Sequence, residues 1–360
     1  MPAAHFCLRP LAALCVAASI AALTASDASA QPKTVADVAN YMSADRQKVL
    51  EDGARREGKL TIYATGTQIQ PLIERFQQKY PFIRVEMPRN SSSDAARLVF
   101  EEYSAGVYQV DAFELSSYGL VPMRSQGFLQ PFSSPEAVNY VSSAIEQNRH
   151  WVSVREGYTG IGYNPKIISP EDSPKTYQDL LDPKWKGKMA ISSLVSTAAN
   201  WVGTMLITYG EDFVRKFAAQ DVRPYAITGR ALANLTISGE APLSPTTYQS
   251  HVEASRAQGA SIAWNLPGPV PVTDTAAALA VKAPHPHAGM LFIDFLLSKE
   301  GQLLYKDLGY FSSHKDFAAN QIPGIQKVFL TNRPNFVDEF ESWINLTQQV
   351  FLRGGKLKRE

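Results

Sequence analysis

The clearest hydrophobic pattern in the chain runs from Lys59 to Met87. Lys59 to Ala64 sets Leu60 and Ile62 on one face and Thr61 and Tyr63 on the other, the two-residue period of a β-strand. After the polar turn Thr65-Gly66-Thr67-Gln68, the residues Ile69, Leu72, Ile73 and Phe76 fall at helical spacing, predicting a helix to about Tyr80. Pro81 ends that helix, and Phe82 to Met87 alternates as a second strand. Strand, helix and strand in this order predict a parallel pair with a right-handed crossover. The loop after the first strand then lies at the carboxyl edge of the sheet, where ligands bind. Hydroxyls and free backbone N–H groups at a helix start suit an anion or a polar small molecule there.

The same logic recurs along the chain. The polar loop Pro88 to Asp94 caps a helix over Ala95 to Ser104, and Val110 to Leu115 reads as a strand running into Ser116-Ser117-Tyr118-Gly119. Three successive strands therefore end in Ser- or Thr-rich loops. Trp151 to Asn164 alternates around Gly157, Gly160 and Gly162, and Met189 to Ile191 is a strand followed by the hydroxyl-rich loop Ser192 to Asn200 and a helix to Tyr209. A short helix spans Ala231 to Ile237, and Leu243 to Tyr248 is a strand ending in Thr246-Thr247-Tyr248. Strand material at Ser261 to Leu266 and Thr275 to Lys282 is separated by Pro267, Pro269 and Pro271, and Met290 to Tyr305 reads as one apolar-striped helix. Gln31 to Gly58 reads as a polar lead-in helix. Two α/β lobes with hydroxyl-rich edges facing each other would enclose a ligand between them.

Composition narrows the function. A chain of 360 residues has room for two domains, and 35 Lys and Arg against 34 Asp and Glu leave a net charge of +1. No basic footprint points to nucleic acid. Arg9, the apolar run Leu11 to Leu23 and the small residues Ala28-Ser29-Ala30 have the layout of a secretory signal peptide cleaved after Ala30. Both cysteines, Cys7 and Cys15, fall inside it, so the mature periplasmic chain has neither a disulfide nor a thiolate metal site. The dinucleotide glycine pattern, G-x-S-x-G, H-E-x-x-H and the phosphate-loop motif are absent, and no cofactor is expected. His251 with Glu253 is the nearest approach to an acid–base pair, and their spacing points them apart on a helix. His285 and His287 flank a proline without a neighbouring carboxylate and read as loop residues rather than metal ligands.

One stretch is more specific. APHPHAGMLFIDFLLSKEGQ, at Ala283 to Gln302, resembles a motif near the end of the ABC-transporter extracellular solute-binding proteins of the ferric-ion-binding type. EGKLTIYATGTQ, VREGYTGIGYNPK and DLLDPKWKGKMAI are similar to the same family in the same order, so the resemblance covers roughly Gly58 to Tyr310. It implies an α/β fold of two Rossmann-like lobes joined by crossing strands, the periplasmic binding protein type II arrangement, closing on a ligand about a hinge. The lobes would be residues 31–150 with about 262–305, and 151–261 with about 306–360. It also implies a monomer that delivers its ligand to an ABC permease in the inner membrane, without catalysis.

The resemblance aligns an anion site at a helix start with Ser196-Thr197-Ala198, Asn200 lying just beyond, and aligns the region of iron-ligating tyrosines with Thr246 to Ser250, where Tyr248 is the one tyrosine. The place of an iron-binding histidine falls near Thr67. One tyrosine among neutral hydroxyls is a poor set for a hard ferric ion, so the favoured ligand is a small anionic or polar organic molecule. The candidate binding residues are Thr65, Thr67, Ser91, Ser92, Ser116, Ser117, Ser196, Thr197, Ala198, Asn200, Arg230, Thr247 and Tyr248. Ferric ion with a synergistic anion, held by Tyr248, is the alternative. An exported enzyme or a ligand sensor on the same scaffold stands behind it.

Overall fold

The computed structural model describes residues 1–2, 32–64, 69–88, 92–318 and 325–352. The expected leader beyond its first two residues, and the basic tail Arg353 to Glu360, lie outside them. The strands are β1 (Lys59–Ala64), β2 (Arg84–Glu86), β3 (Ala112–Ser116), β4 (Leu129–Gln130), β5 (Trp151–Tyr163), β6 (Ala190–Ser192), β7 (Arg223–Tyr225), β8 (Leu243–Tyr248), β9 (Ala263–Asn265), β10 (Val270–Ala280) and β11 (Lys327–Val328). The helices are α1 (Val35–Ala39), α2 (Arg46–Glu57), α3 (Gln70–Lys79), α4 (Ser92–Ser104), α5 (Ser117–Ser125), α6 (Val195–Tyr209), α7 (Glu211–Ala218), α8 (Gly229–Ser238), α9 (Gln249–Ala257), α10 (Pro286–Leu297), α11 (Lys299–Asp307), α12 (Lys315–Ala318) and α13 (Phe336–Phe351).

Two halves repeat one plan. In the first, β2, β1 and β3 are parallel neighbours, and β10 runs antiparallel beside β3. In the second, β7 and β6 are parallel, β6 meets β8 through a parallel bridge from Met189 to Leu243, and β5 runs antiparallel beside β8. Strands β5 and β10 pair with each other from Trp151–Ala278 to Tyr158–Val272, so both cross between the halves. The predicted βαβ unit is present, and its stripe of Ile69, Leu72, Ile73 and Phe76 is buried. Phe76 packs edge-on against Phe292 of α10 at 5.1 Å between ring centres.

Close approach explains the glycines of β5. A Cβ at Gly162 would lie 2.4 Å from Thr247 Oγ1, so a side chain there would force β8 away.

Several elements differ from the sequence expectation for visible reasons. The lead-in helix is two, α1 and α2. The expected helix Met290 to Tyr305 is also two, because Ser298 caps α11 by accepting a hydrogen bond from the Gly301 N–H at 3.3 Å. Gly301 packs so tightly on the Phe295 carbonyl that a Cβ would come within 2.2 Å of it. The proline passage is not a separator throughout, since Pro271 lies inside β10, where it pairs with Val328. The expected loops after β3 and β6 are largely helical, with α5 starting at Ser117 and α6 at Val195.

The two histidines before α10 serve the helix start. Glu57 accepts from the backbone N–H of His287 at 3.2 Å and of Ala288 at 2.8 Å, and Asp111 accepts from that of His285 at 2.6 Å. Both rings contact the same carboxylates. Buried Asp111 and half-buried Glu57 thus satisfy orphan donors at the first turn and favour its dipole.

Candidate functional site

The carboxyl ends of β3 and β8 meet at a cavity of about 300 Å³. Ser116 closes β3 and Tyr248 closes β8, while Ser250 and His251 come from the first turn of α9. The floor is the crossing pair, with Arg155 and Gly157 on β5 and Thr273, Asp274 and Thr275 on β10, and Tyr310 completes the wall. Residues far apart in sequence converge because the two halves present their strand ends to one another, the place where ligands bind in open α/β sheets.

Strand alternation sorts the charges. Arg155 faces the cavity, whereas the next residue, Glu156, is buried on an ion pair with Lys327 at 2.7 Å. Arg155 Nε donates to Glu114 Oε1 at 2.8 Å, and its guanidinium lies 4.7 Å from the Tyr310 ring centre. Burial works against the charge of Arg155, but the Glu114 carboxylate more than offsets it and holds the guanidinium protonated above its ordinary range. Asp274 borders the cavity, yet both carboxylate oxygens accept hydroxyl hydrogen bonds, from Ser117 and Ser153. Burial raises its pKa. Burial, with Arg230 nearby, pushes His251 down to about 4, so its ring is neutral at neutral pH. The cavity therefore offers neutral hydroxyls, a neutral imidazole and one guanidinium.

The expected site residues divide into groups. Ser116 and Tyr248 line the cavity, and Thr197 Oγ1 lies 3.2 Å from the Tyr248 hydroxyl oxygen, tying the first turn of α6 to the wall. Asn200, one turn further along α6, is 1% exposed, and neither amide atom has a partner among the described residues. Arg230 is not part of the lining; it acts electrostatically on His251 and donates to Ser255 Oγ at 2.9 Å. Ser117, Ala198 and Thr247 are buried, Ser117 bonded to Asp274 and Thr247 donating to the Ser244 carbonyl. Thr65, Thr67 and Ser91 lie outside the described residues. Ser92 opens α4 and Ser196 sits in the first turn of α6, with their side chains outside the description.

Sequence reasoning missed Arg155, Gly157, Ser250, His251, Thr273, Thr275 and Tyr310. Arg155 had a legible signal, an Arg-Glu pair inside a largely apolar, glycine-rich strand. Tyr310 had none, because its place depends on a pairing between distant segments. Among the described residues no cluster of three His, Cys, Asp or Glu side chains is arranged for a metal.

Two halves of like topology, crossing strands and a cavity at their junction define a ligand-clamping receptor of the periplasmic binding protein type II fold. A family model described as bacterial extracellular solute-binding protein matches residues 120–332, and the chain belongs to that family. Its members are extracellular solute-binding proteins, and binding a solute is the role the family gives this chain. A putative 2-aminoethylphosphonate-binding periplasmic protein of Salmonella typhimurium is 29% identical over 189 residues, 47% of this chain and 53% of that one. The match thus spans about half the length of that relative. Iron-bound HitA from Pseudomonas aeruginosa superposes with a TM-score of 0.67 at 21% identity, covering 81% of this chain and 99% of the other. AfuA from Actinobacillus pleuropneumoniae, with fructose-6-phosphate bound, gives 0.64 at 20% identity over 81% and 99%. At such identities the likeness speaks for the fold. Among the described residues no helix is long and apolar enough to cross a membrane.

Proposed function

We propose that this solute-binding protein captures a small anionic or polar organic molecule in the cavity between its lobes and delivers it to an inner-membrane ABC permease. It works as a periplasmic monomer freed of its leader after Ala30, and it performs no chemistry on its cargo. The lobes are those expected from sequence, with β5 and β10 as the hinge between them. Ser116 and Tyr248 contact the cargo directly. Thr197, Asn200 and Arg230, with Thr65, Thr67, Ser91, Ser92 and Ser196, complete the grip on closure.

The composition of the cavity wall carries this reading. Ferric ion requires several anionic oxygens, and the bordering carboxylate, Asp274, has both oxygens engaged by serine hydroxyls. The remaining wall is hydroxyl, imidazole and guanidinium, which suits a polar organic cargo. The relative named for aminoethylphosphonate and the sugar-phosphate-bound neighbour support the same class of cargo, while the iron-bound neighbour supports the alternative.

The test is native mass spectrometry with metal analysis on protein purified from the periplasm without refolding. A metal-free protein holding a small organic molecule is the expected result. Stoichiometric iron with a visible charge-transfer colour overturns the organic cargo in favour of iron and an anion. Turnover of the bound compound would point instead to an exported enzyme.

A further inference from the structure

Arg155 stands out once the cavity is considered as a recognition surface. Among the described lining residues it is the one cation, since His251 is neutral, and the Asp274 carboxylate that also borders the cavity has both oxygens bonded by Ser117 and Ser153. Its side chain is 15% exposed, and the Glu114 that pairs with it is fully buried. Tyr305 also donates to the same Glu114 oxygen, at 3.2 Å, so two donors converge on Oε1. The Nε edge of the guanidinium is occupied by Glu114 and one face by Tyr310. Neither terminal nitrogen bonds a described residue. A planar fork held by one edge and one face has its outer edge left for a partner.

We propose that Arg155 is the specificity-determining residue of the cleft, its outer edge taking the acidic headgroup of the cargo, and that the cargo is a small organic molecule with one acidic group. The proposal rests on the organic-cargo reading above and deepens it. It places the headgroup on the hinge strand β5 rather than at the start of α6, where Thr197 is 5% exposed and Ala198 belongs to the core. Glu114 has two consequences. It holds the guanidinium in one orientation, which a flexible ion would not keep for a bidentate acid. It also compensates the charge, so that a second acidic group on the cargo would face hydroxyls and the buried Asp274 with no second Lys or Arg in the described lining to receive it. Ser116, Tyr248, Ser250, Thr273 and Thr275 make the rest of the lining hydroxyl-bearing, which suits an uncharged remainder of the molecule. A cavity of about 300 Å³ keeps that remainder short.

The experiment is calorimetric titration of the mature protein with acids and their uncharged counterparts: glycerol 3-phosphate beside glycerol, 4-hydroxybutyrate beside 1,4-butanediol, and succinate as a two-acid probe. The single acids should bind better than the alcohols and better than succinate. Arg155→Lys should weaken the preferred acid by about 10- to 100-fold and leave the alcohols unchanged. Glu114→Gln keeps the shape and removes the compensating charge, so acid affinity should rise several-fold and become more salt-dependent. A merely structural ion pair would not produce that rise. Where single variants fold poorly, the double variant Glu114→Gln with Arg155→Gln leaves no orphan charge, and it should lose the discrimination between acid and alcohol.

Acid affinity unchanged in Arg155→Lys and in the double variant overturns the assignment and moves the headgroup elsewhere, while solute capture stands. A wild-type protein that binds none of these probes and carries iron from the periplasm overturns the organic-cargo reading itself.

Discussion

Thr197 and Tyr248 meet through their hydroxyl oxygens 3.2 Å apart, joining the first turn of α6 to the last residue of β8. Tyr248 also lines the cavity, so one contact links the wall to a helix start. Tyr248→Phe removes the hydroxyl and keeps the ring against His251, whose centre lies 5.5 Å away. The fold should lose about 0.5–1.5 kcal/mol, the net worth of one hydrogen bond, in a urea titration. Cargo affinity should fall by a larger factor. A variant that binds its cargo normally would confine Tyr248 to a packing role.

Asn200 offers the opposite balance. A buried amide without partners costs roughly 1–3 kcal/mol for each unsatisfied group. Replacement by the similarly sized Leu should leave the ligand-free protein at least as stable as the parent while weakening cargo binding. Such a pair of effects marks a residue kept for binding at the expense of stability. Easier unfolding of Asn200→Leu in denaturant, by more than about 1 kcal/mol, would instead show that the amide is satisfied in the free protein.

His285 makes stability depend on pH. The hydrogen bond to Asp111 is the leading cause of its raised pKa, burial opposes it, Glu57 adds to it and Lys59 subtracts. A folded value above the unfolded one, about 6.5, means that the stabilisation is complete below the unfolded pKa and is lost as pH rises through the folded one. His285→Gln should therefore lower the melting temperature most in mildly acidic buffer, with the gap to the parent narrowing in alkaline buffer. A gap of constant size across that range would show that the imidazolium contributes nothing.

Gly203 sits in the interior of α6, where alanine ordinarily adds about 1 kcal/mol of helix propensity. Here a Cβ would lie 2.7 Å from the Trp343 ring and 2.9 Å from Leu330, both buried. Overpacking of this kind costs about 1–3 kcal/mol, so Gly203→Ala should destabilise the protein. A rise in melting temperature on that substitution would mean that α13 shifts freely on α6.

Local pattern carried most of the fold. Lys59–Ala64 and Leu243–Tyr248 are strands with the bounds that their alternation predicts, and the apolar stripe beginning at Ile69 is a buried helix face. Where the reading failed, a cap or a tertiary contact had won over periodicity. Ser298 splits a continuous apolar stripe, and Pro271 joins a strand because β11 pairs alongside it. The site was less legible. Ser116 and Tyr248 were reached from the rule that strands end at ligands, but Tyr310 meets Arg155 only through packing between distant segments. Arg230, named as an anion partner, donates to Ser255 and acts electrostatically on His251.

The pairing of β3 with β10, Ala112 beside Leu279, has a consequence for the order in which the molecule is made. The first half begins its sheet with β1, β2 and β3, but the strand that covers β3 leaves the ribosome only after the whole of β4 to β9. Until then β3 has a bare edge, and β5 waits for the same partner. The first half is therefore not a separate folding unit that ripens early. Both halves are completed by one late strand, a topology rich in distant contacts that folds slowly and leaves the nascent chain dependent on being kept from premature association.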